Sequence, residues 1–198
     1  MPEVIVVGAS AGGVVALREF LKALPLYFRP PIVIVQHLPK GPRLDLELIY
    51  GRRLNSRYLE AEDKMRLREG DIVMAAPDYH LAFEKDGHLS LSQDAPVYFS
   101  RPSIDILFES AAIAFGSSVA AVLMSGASQD GANGLLCVHR AGGLTIVQDP
   151  HEAQNPTMPK SALALFQPDF VGTVCEIADF LVQRRDIRSR DFVAGAHP

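Results

Sequence analysis

The chain has 198 residues, 48% of them hydrophobic and 21% charged, with a formal net charge of −4. These values suit one globular domain with a sizeable core and give nucleic acid no electrostatic hold, since a nucleic-acid binder concentrates its basic residues in a stripe. No run approaches the roughly 20 apolar residues needed to cross a bilayer, and the apolar opening, Val4 to Val7, is too short for a secretion signal, so a cytoplasmic protein without membrane insertion is expected.

Short β-branched runs alternate with helical patterns. Glu3–Val7 is predicted as a strand followed by a glycine-containing turn, and apolar residues at Val14, Leu17, Leu21 and Leu24 then recur with a helical period closed by Pro25. Ile32–Val35 reads as a second buried strand, the kind found where helices cover both faces of a parallel sheet. Asp71–Ala75, Tyr79–Glu84 and His88–Ser92 are predicted as short strands split by Pro77-Asp78 and Asp86-Gly87, an antiparallel excursion. Ser103 is placed to cap a helix running toward Phe115. The β-α-β pattern then returns with a strand at Val119–Met124, a helix at Gly131–Arg140 and a strand at Leu144–Val147. A last strand at Phe170–Val174 precedes a terminal helix through Leu181. The expected class is α/β: a doubly wound, mostly parallel sheet with helices on both faces and an antiparallel hairpin excursion. It forms a single domain over residues 1–198 with a tail from 183. Arg184, Arg185, Arg188 and Arg190 are interrupted by Asp186 and Asp191, the signature of a solvated tail. Cys137 and Cys175 lie in apolar stretches and are expected as small core residues of a reducing compartment. No Cys or His spacing indicates a metal.

Three segments carry chemistry. Gly8-Ala9-Ser10-Ala11-Gly12-Gly13 follows the first strand and opens the first helix. It does not meet the dinucleotide or P-loop fingerprints, but it does satisfy G-x-S-x-G, which sets a serine on a sharp turn at the end of a strand. A phosphate-cradling loop, or a turn made merely of small residues, remains open on this segment alone. His37 ends the second strand, where a parallel sheet gathers its ligand site, and a serine hydroxyl needs such a base to take its proton. Asp130, in Ser125-Gly126-Ala127-Ser128-Gln129-Asp130-Gly131, follows another apolar strand and could orient the imidazole or simply cap the next helix. Together the three residues point to a Ser-His-Asp triad, Ser10, His37 and Asp130, in an order unlike that of the α/β-hydrolases.

The anchors GASAGG (8–13), QHLP (36–39), EAED (60–63), AAPDYHL (75–81), RPSIDILFES (101–110), SGASQDGANGL (125–135) and MPKSAL (158–163) resemble the catalytic domain of the CheB protein-glutamate methylesterases of bacterial chemotaxis, from Val4 to about Gln183. The resemblance implies hydrolysis of γ-glutamyl methyl esters on methyl-accepting chemotaxis receptors, with release of methanol and with deamidation of certain glutamines. It needs no cofactor and no metal, and it places the triad at Ser10, His37 and Asp130. Backbone N–H groups of Ala11 and Ala127 are the expected oxyanion donors. Arg101, His80 and Met158 are the expected substrate-side residues, with Met158-Pro159 in a loop beside the triad. Family enzymes usually carry Met-Gly where this chain has Ala127-Ser128. Well-known members begin with a receiver domain, whereas this chain starts at the first strand of the esterase and is expected to be an excised or standalone domain. A nucleotide-binding α/β domain and a degenerate receptor-binding member are the competing readings.

Overall fold

The computed structural model describes residues 2–37, 46–51 and 56–193, with side chains as far as residue 184. Strand β1 (Val4–Ala9) leads into helix α1 (Gly13–Ala23), and β2 (Ile32–Gln36) is followed by the short helix α2 (Leu46–Tyr50). Then come β3 (Arg57–Glu60), β4 (Asp71–Met74), β5 (His80–Phe83), β6 (Leu89–Ser92) and α3 (Ile104–Phe115). The chain continues through β7 (Val119–Leu123), α4 (Ala132–Arg140), β8 (Leu144–Gln148), α5 (Thr157–Leu163), β9 (Phe170–Gly172) and α6 (Val174–Val193).

Seven strands form one parallel sheet in the order β3-β4-β2-β1-β7-β8-β9. The winding reverses at β1, whose two neighbours are β2 and β7. Such a reversal opens a crevice at the carboxyl ends of the strands. Along β1 every residue is buried, and the side chains alternate between two cores as the pleat requires. Val4 and Val6 join a cluster with Leu107, Phe108, Leu135 and Met158, beneath α3, α4 and α5. Ile5 and Val7 join Leu17, Phe20, Ile177 and Leu181, beneath α1 and α6. The doubly wound reading is therefore borne out.

One element is corrected. Asp71–Met74 is no part of an antiparallel excursion: β4 pairs parallel with both β2 and β3, so that Ile72 lies beside Ile32 and Tyr58. Only β5 and β6 form the antiparallel hairpin, which lays Leu81, Phe83 and Leu89 on the α3 side of the core. Phe83 meets Phe115 edge-on at 4.9 Å, and its N–H donates to the Ser110 hydroxyl. The cysteine reading is also corrected at one position: Cys137 is half-buried against the core, but Cys175 is exposed on α6. Helix α6 extends well past Leu181, and Arg184 lies over the Phe180 ring at 5.0 Å. The side chains of Arg185, Asp186, Arg188, Arg190 and Asp191 lie outside the described residues, as do Leu38 and Pro39.

Candidate active site

Ser10, His37 and Asp130 follow β1, β2 and β7, the three central strands of the sheet. Each connection is held by backbone bonds to a neighbouring strand end. The N–H of His37 donates to the Ala9 carbonyl at 3.0 Å, and that of Ser10 to the Ser125 carbonyl at 2.9 Å. Gly12 then turns the chain into α1 at φ 81°, where a Cβ would stand 2.7 Å from the Ser125 hydroxyl oxygen, so only glycine fits this turn. The Ser125 hydroxyl, in its turn, donates to the Ala11 carbonyl at 2.7 Å and accepts the Asn155 N–H at 2.9 Å. Ser125 thus holds the loop that carries Ser10, consistent with its own place outside the G-x-S-x-G turn.

The three side chains form one hydrogen-bonded chain. His37 Nδ1 lies 3.2 Å from Ser10 Oγ, and His37 Nε2 lies 2.9 Å from Asp130 Oδ2. The carboxylate can only accept, so Nε2 carries the proton and Nδ1 offers its lone pair to the serine hydroxyl. In the chymotrypsin arrangement the two ring nitrogens are used the other way round. Either nitrogen can act as the base, because the requirement is a lone pair within reach of the hydroxyl proton.

Asp130 is fully buried and accepts four hydrogen bonds. Besides His37 it accepts the Ser103 hydroxyl at 2.9 Å and the backbone N–H groups of Ile104 at 2.8 Å and Asp105 at 3.0 Å. Burial pushes its carboxyl up, but the His37 ring, the two helical N–H groups and the Ser103 hydroxyl together outweigh burial and hold it below the usual carboxylate range. The capping alternative for Asp130 is corrected by this geometry. Asp130 satisfies the first turn of α3, not that of α4, whose N-cap is Gly131 and has no side-chain cap. Asp105 of α3 returns the bond, accepting the N–H groups of Gly131 at 2.9 Å and Gly134 at 2.7 Å. Two buried carboxylates therefore cap each other's helices. Asp105 is pushed up to about 6 chiefly by burial, with the nearby Asp130 and Glu109 charges adding to it and the Gly134 and Gly131 N–H groups opposing.

The expected oxyanion donors are the N–H groups of the residues that follow Ser10 and Gly126. Ala11 and Ala127 are exposed, and their backbone N–H groups have no partner among the described residues. The neighbouring N–H groups are occupied: Ser10 N donates to Ser125, and Gly126 N to the Asn155 carbonyl at 3.1 Å. Ser128, one of the two residues that depart from the family pattern, uses its hydroxyl to accept the Asp130 N–H at 3.2 Å.

Of the expected substrate-side residues, Arg101 alone lines the cleft. A cavity of about 210 Å³ opens beside His37, between Asp78, Phe99, Ser100 and Arg101. Arg101 forms an ion pair with Asp78 at 2.9 Å and donates to the carbonyls of Gln93 and Asp94, so the guanidinium stiffens the wall as well as charging it. His80 is corrected. It is 1% exposed, its Nδ1 accepts the Ser103 N–H at 3.1 Å and its Nε2 meets the Ala95 carbonyl at 3.1 Å, so it braces the start of α3 from behind. Met158 is corrected as well: it is fully buried, lies in the first turn of α5 rather than in a loop, and packs against Gly126. Sequence reasoning missed Ser100, whose hydroxyl lies 3.5 Å from His37 Nδ1, and Gln36, whose amide donates to the carbonyls of Ser10 at 2.8 Å and His37 at 3.0 Å. Gln36 opens the QHLP segment, and a polar residue ending an otherwise apolar strand was its only signal. A larger cleft of about 790 Å³ lies at the end of α1 near Lys22 and Tyr50, away from the carboxyl edge where the triad sits. Among the described residues no cluster of His, Cys, Asp and Glu could hold a metal, and no helix is long and apolar enough to cross a membrane.

Comparison with known proteins places this geometry. The CheB methylesterase family profile matches residues 5–181. A Leptospira interrogans relative, provisionally named protein-glutamate methylesterase/protein-glutamine glutaminase, is 42% identical over 91% of this chain and 94% of its own. A Pseudomonas aeruginosa protein-glutamate methylesterase/protein-glutamine glutaminase is 35% identical over 92% of this chain, which spans 53% of that relative's length. The catalytic domain of the Thermotoga maritima CheB methylesterase superposes with a TM-score of 0.81 at 28% identity, covering 92% of this chain and 98% of that one. On the match over most of its length, on the fold and on its similarity to these relatives, the chain belongs to the CheB methylesterase family.

Proposed function

We propose that this protein is a serine hydrolase that demethylates glutamate methyl esters on chemotaxis receptors and deamidates glutamine in the same site, with Ser10, His37 and Asp130 as its triad. The observation that carries the proposal is the unbroken hydrogen-bonded chain from Ser10 Oγ through His37 to Asp130 at the centre of the sheet edge. The domain described is the catalytic unit, acting in the cytoplasm on a protein partner.

Ser10 Oγ attacks the ester carbonyl while its proton passes to His37 Nδ1. The ring becomes cationic, and Asp130, held ionised by its four donors, stabilises that charge and fixes the tautomer. The negative oxygen of the tetrahedral intermediate is received by the N–H groups of Ala11 and Ala127, each worth on the order of a hundredfold in rate. Collapse expels methoxide, which takes the proton from His37 and leaves as methanol. Water then gives a proton to His37, attacks the glutamyl-serine ester and frees the glutamate and Ser10. With glutamine the leaving group is ammonia and every other step is the same. The Ala127-Ser128 pair is compatible with this course, because a backbone donor does not depend on its side chain.

The test is methanol release from a fully methylated receptor fragment, comparing wild type with Ser10→Ala. Release by wild type and none by the variant is expected. Equal release by both would remove Ser10 from the role of nucleophile, and no release by either would refute the activity.

A further inference from the structure

The turn from Val97 to Ser100 stands at the mouth of the cleft and is built in an unusual way. Val97 and Ser100 exchange backbone hydrogen bonds at 3.1 and 2.8 Å, leaving a two-residue turn made of Tyr98 and Phe99. Both have positive φ, 46° and 61°, as in a type I′ turn, a conformation that Asn-Gly fills readily and two aromatic residues do not. Strain of this kind persists where the surroundings enforce it, and it collects at functional sites. The surroundings here do enforce it. The Tyr98 hydroxyl accepts from the Asn133 side chain of α4 at 3.3 Å, and the following Arg101 is pinned to Asp78 and to two carbonyls. Phe99 remains 104% exposed, the most exposed large apolar side chain among the described residues, and lines the same cavity as His37.

We infer that Phe99 is a preorganised docking residue for the protein substrate, inserting between apolar side chains that flank the methylated glutamate. This rests on the proposed esterase activity and adds what selects its substrate. A cavity of about 210 Å³ holds little more than one side chain, so discrimination among esters falls to whatever surrounds the ester on the partner. An aromatic ring held out by a braced turn presents a large apolar contact whose ordering cost is already met in the free protein. A partner with polar or acidic flanks alone would leave the ring in water and gain nothing from it.

The test uses a methyl-esterified receptor fragment and a second fragment whose residues flanking the ester are changed from apolar to serine. For Phe99→Ala on the first fragment, KM is expected to rise at least tenfold with kcat within about twofold of wild type. On the serine-flanked fragment wild type should show that raised KM already, and Phe99→Ala should change it no further. Phe99→Gly, which suits φ 61° and removes the ring, should match Phe99→Ala in KM while its thermal midpoint is equal to or above that of wild type. An unchanged KM in Phe99→Ala, or a loss confined to kcat, would overturn the docking role and leave the esterase standing. Absence of methanol release by wild type would overturn both.

Discussion

Replacing Asp130 by asparagine isolates the charge of one buried group, and the structure allows its consequences to be worked through. The carboxylate accepts at both oxygens: Ser103 and Asp105 at Oδ1, His37 and Ile104 at Oδ2. An amide has one acceptor, so two arrangements compete. With its oxygen toward His37 and Ile104, the amide group faces the Ser103 hydroxyl, which can rotate to accept, and the Asp105 N–H, which cannot. With its oxygen toward Ser103 and Asp105, it orphans the Ile104 N–H and also forces His37 to carry its proton on Nδ1, the nitrogen facing Ser10. Either way one buried N–H is left unpaired, at about 1–3 kcal/mol of stability. The first arrangement is favoured because it leaves the imidazole in its resting tautomer, with Nε2 donating and Nδ1 free to accept. It keeps the tautomer but removes the negative charge beneath the imidazolium, and kcat should fall at least a hundredfold; the second would approach the ten-thousandfold loss known for a wrong tautomer. The assays are methanol release under saturating substrate and urea unfolding of the same preparation. Turnover within threefold of wild type, with the stability loss present, would refute the assignment of Asp130 to the triad.

Two further outcomes follow from the packing around the site. Gly126→Ala would drive a Cβ into the Cε and Sδ of Met158 and bring it to 3.0 Å from Ser10 Cβ, so the thioether must move aside and Ser10 is pressed by a few tenths of an ångström. A loss of about ten- to a hundredfold in kcat, at about 1–3 kcal/mol of stability, is expected in methanol-release and urea-unfolding assays, and an unchanged kcat would show that Ser10 is not placed by this contact. Asp105→Asn tests the second carboxylate by its pH dependence. The folded-state value, raised to about 6, lies about two units above that of the unfolded chain, so the Asp105 contribution is fully present below about pH 4 and is lost as pH rises through 6. The variant has no such loss. Its stability relative to wild type should therefore improve by about 2–3 kcal/mol between pH 4 and pH 8 in urea titrations, and a constant difference would show that Asp105 is not raised.

The central strands were legible in the sequence, and so was the place of Ser10, His37 and Asp130 at their ends. β1, β2 and β7 are continuous apolar runs followed by small or turn-forming residues, and a strand buried on both faces has no other way to be written. β3 was not legible: Arg57–Glu60 carries charge at both ends, and its ladder to β4 is read only when Tyr58 lies beside Ile72. β4 was seen as a strand but assigned to the wrong sheet, because Asp71–Met74 is followed closely by true hairpin residues and pairing direction leaves no mark on four residues.

The amino-acid sequence by itself determined which residues could do the chemistry. Serine in a tight glycine turn, histidine at a strand end and an aspartate after a third strand are local statements, set by side-chain chemistry and by a period of two or 3.6 residues. Only the tertiary structure decided what each residue faces. It turned His80 and Met158 inward, put Ser100 and Phe99 beside the cleft, and crossed Asp130 with Asp105 so that each caps the other's helix. These are contacts between residues some 25 positions apart, as in Asp130 with Asp105 and Gln36 with Ser10, and they arise from strand order and helix crossing. A buried carboxylate must find its donors wherever the fold brings N–H groups within 3 Å, and sequence spacing carries no record of that distance.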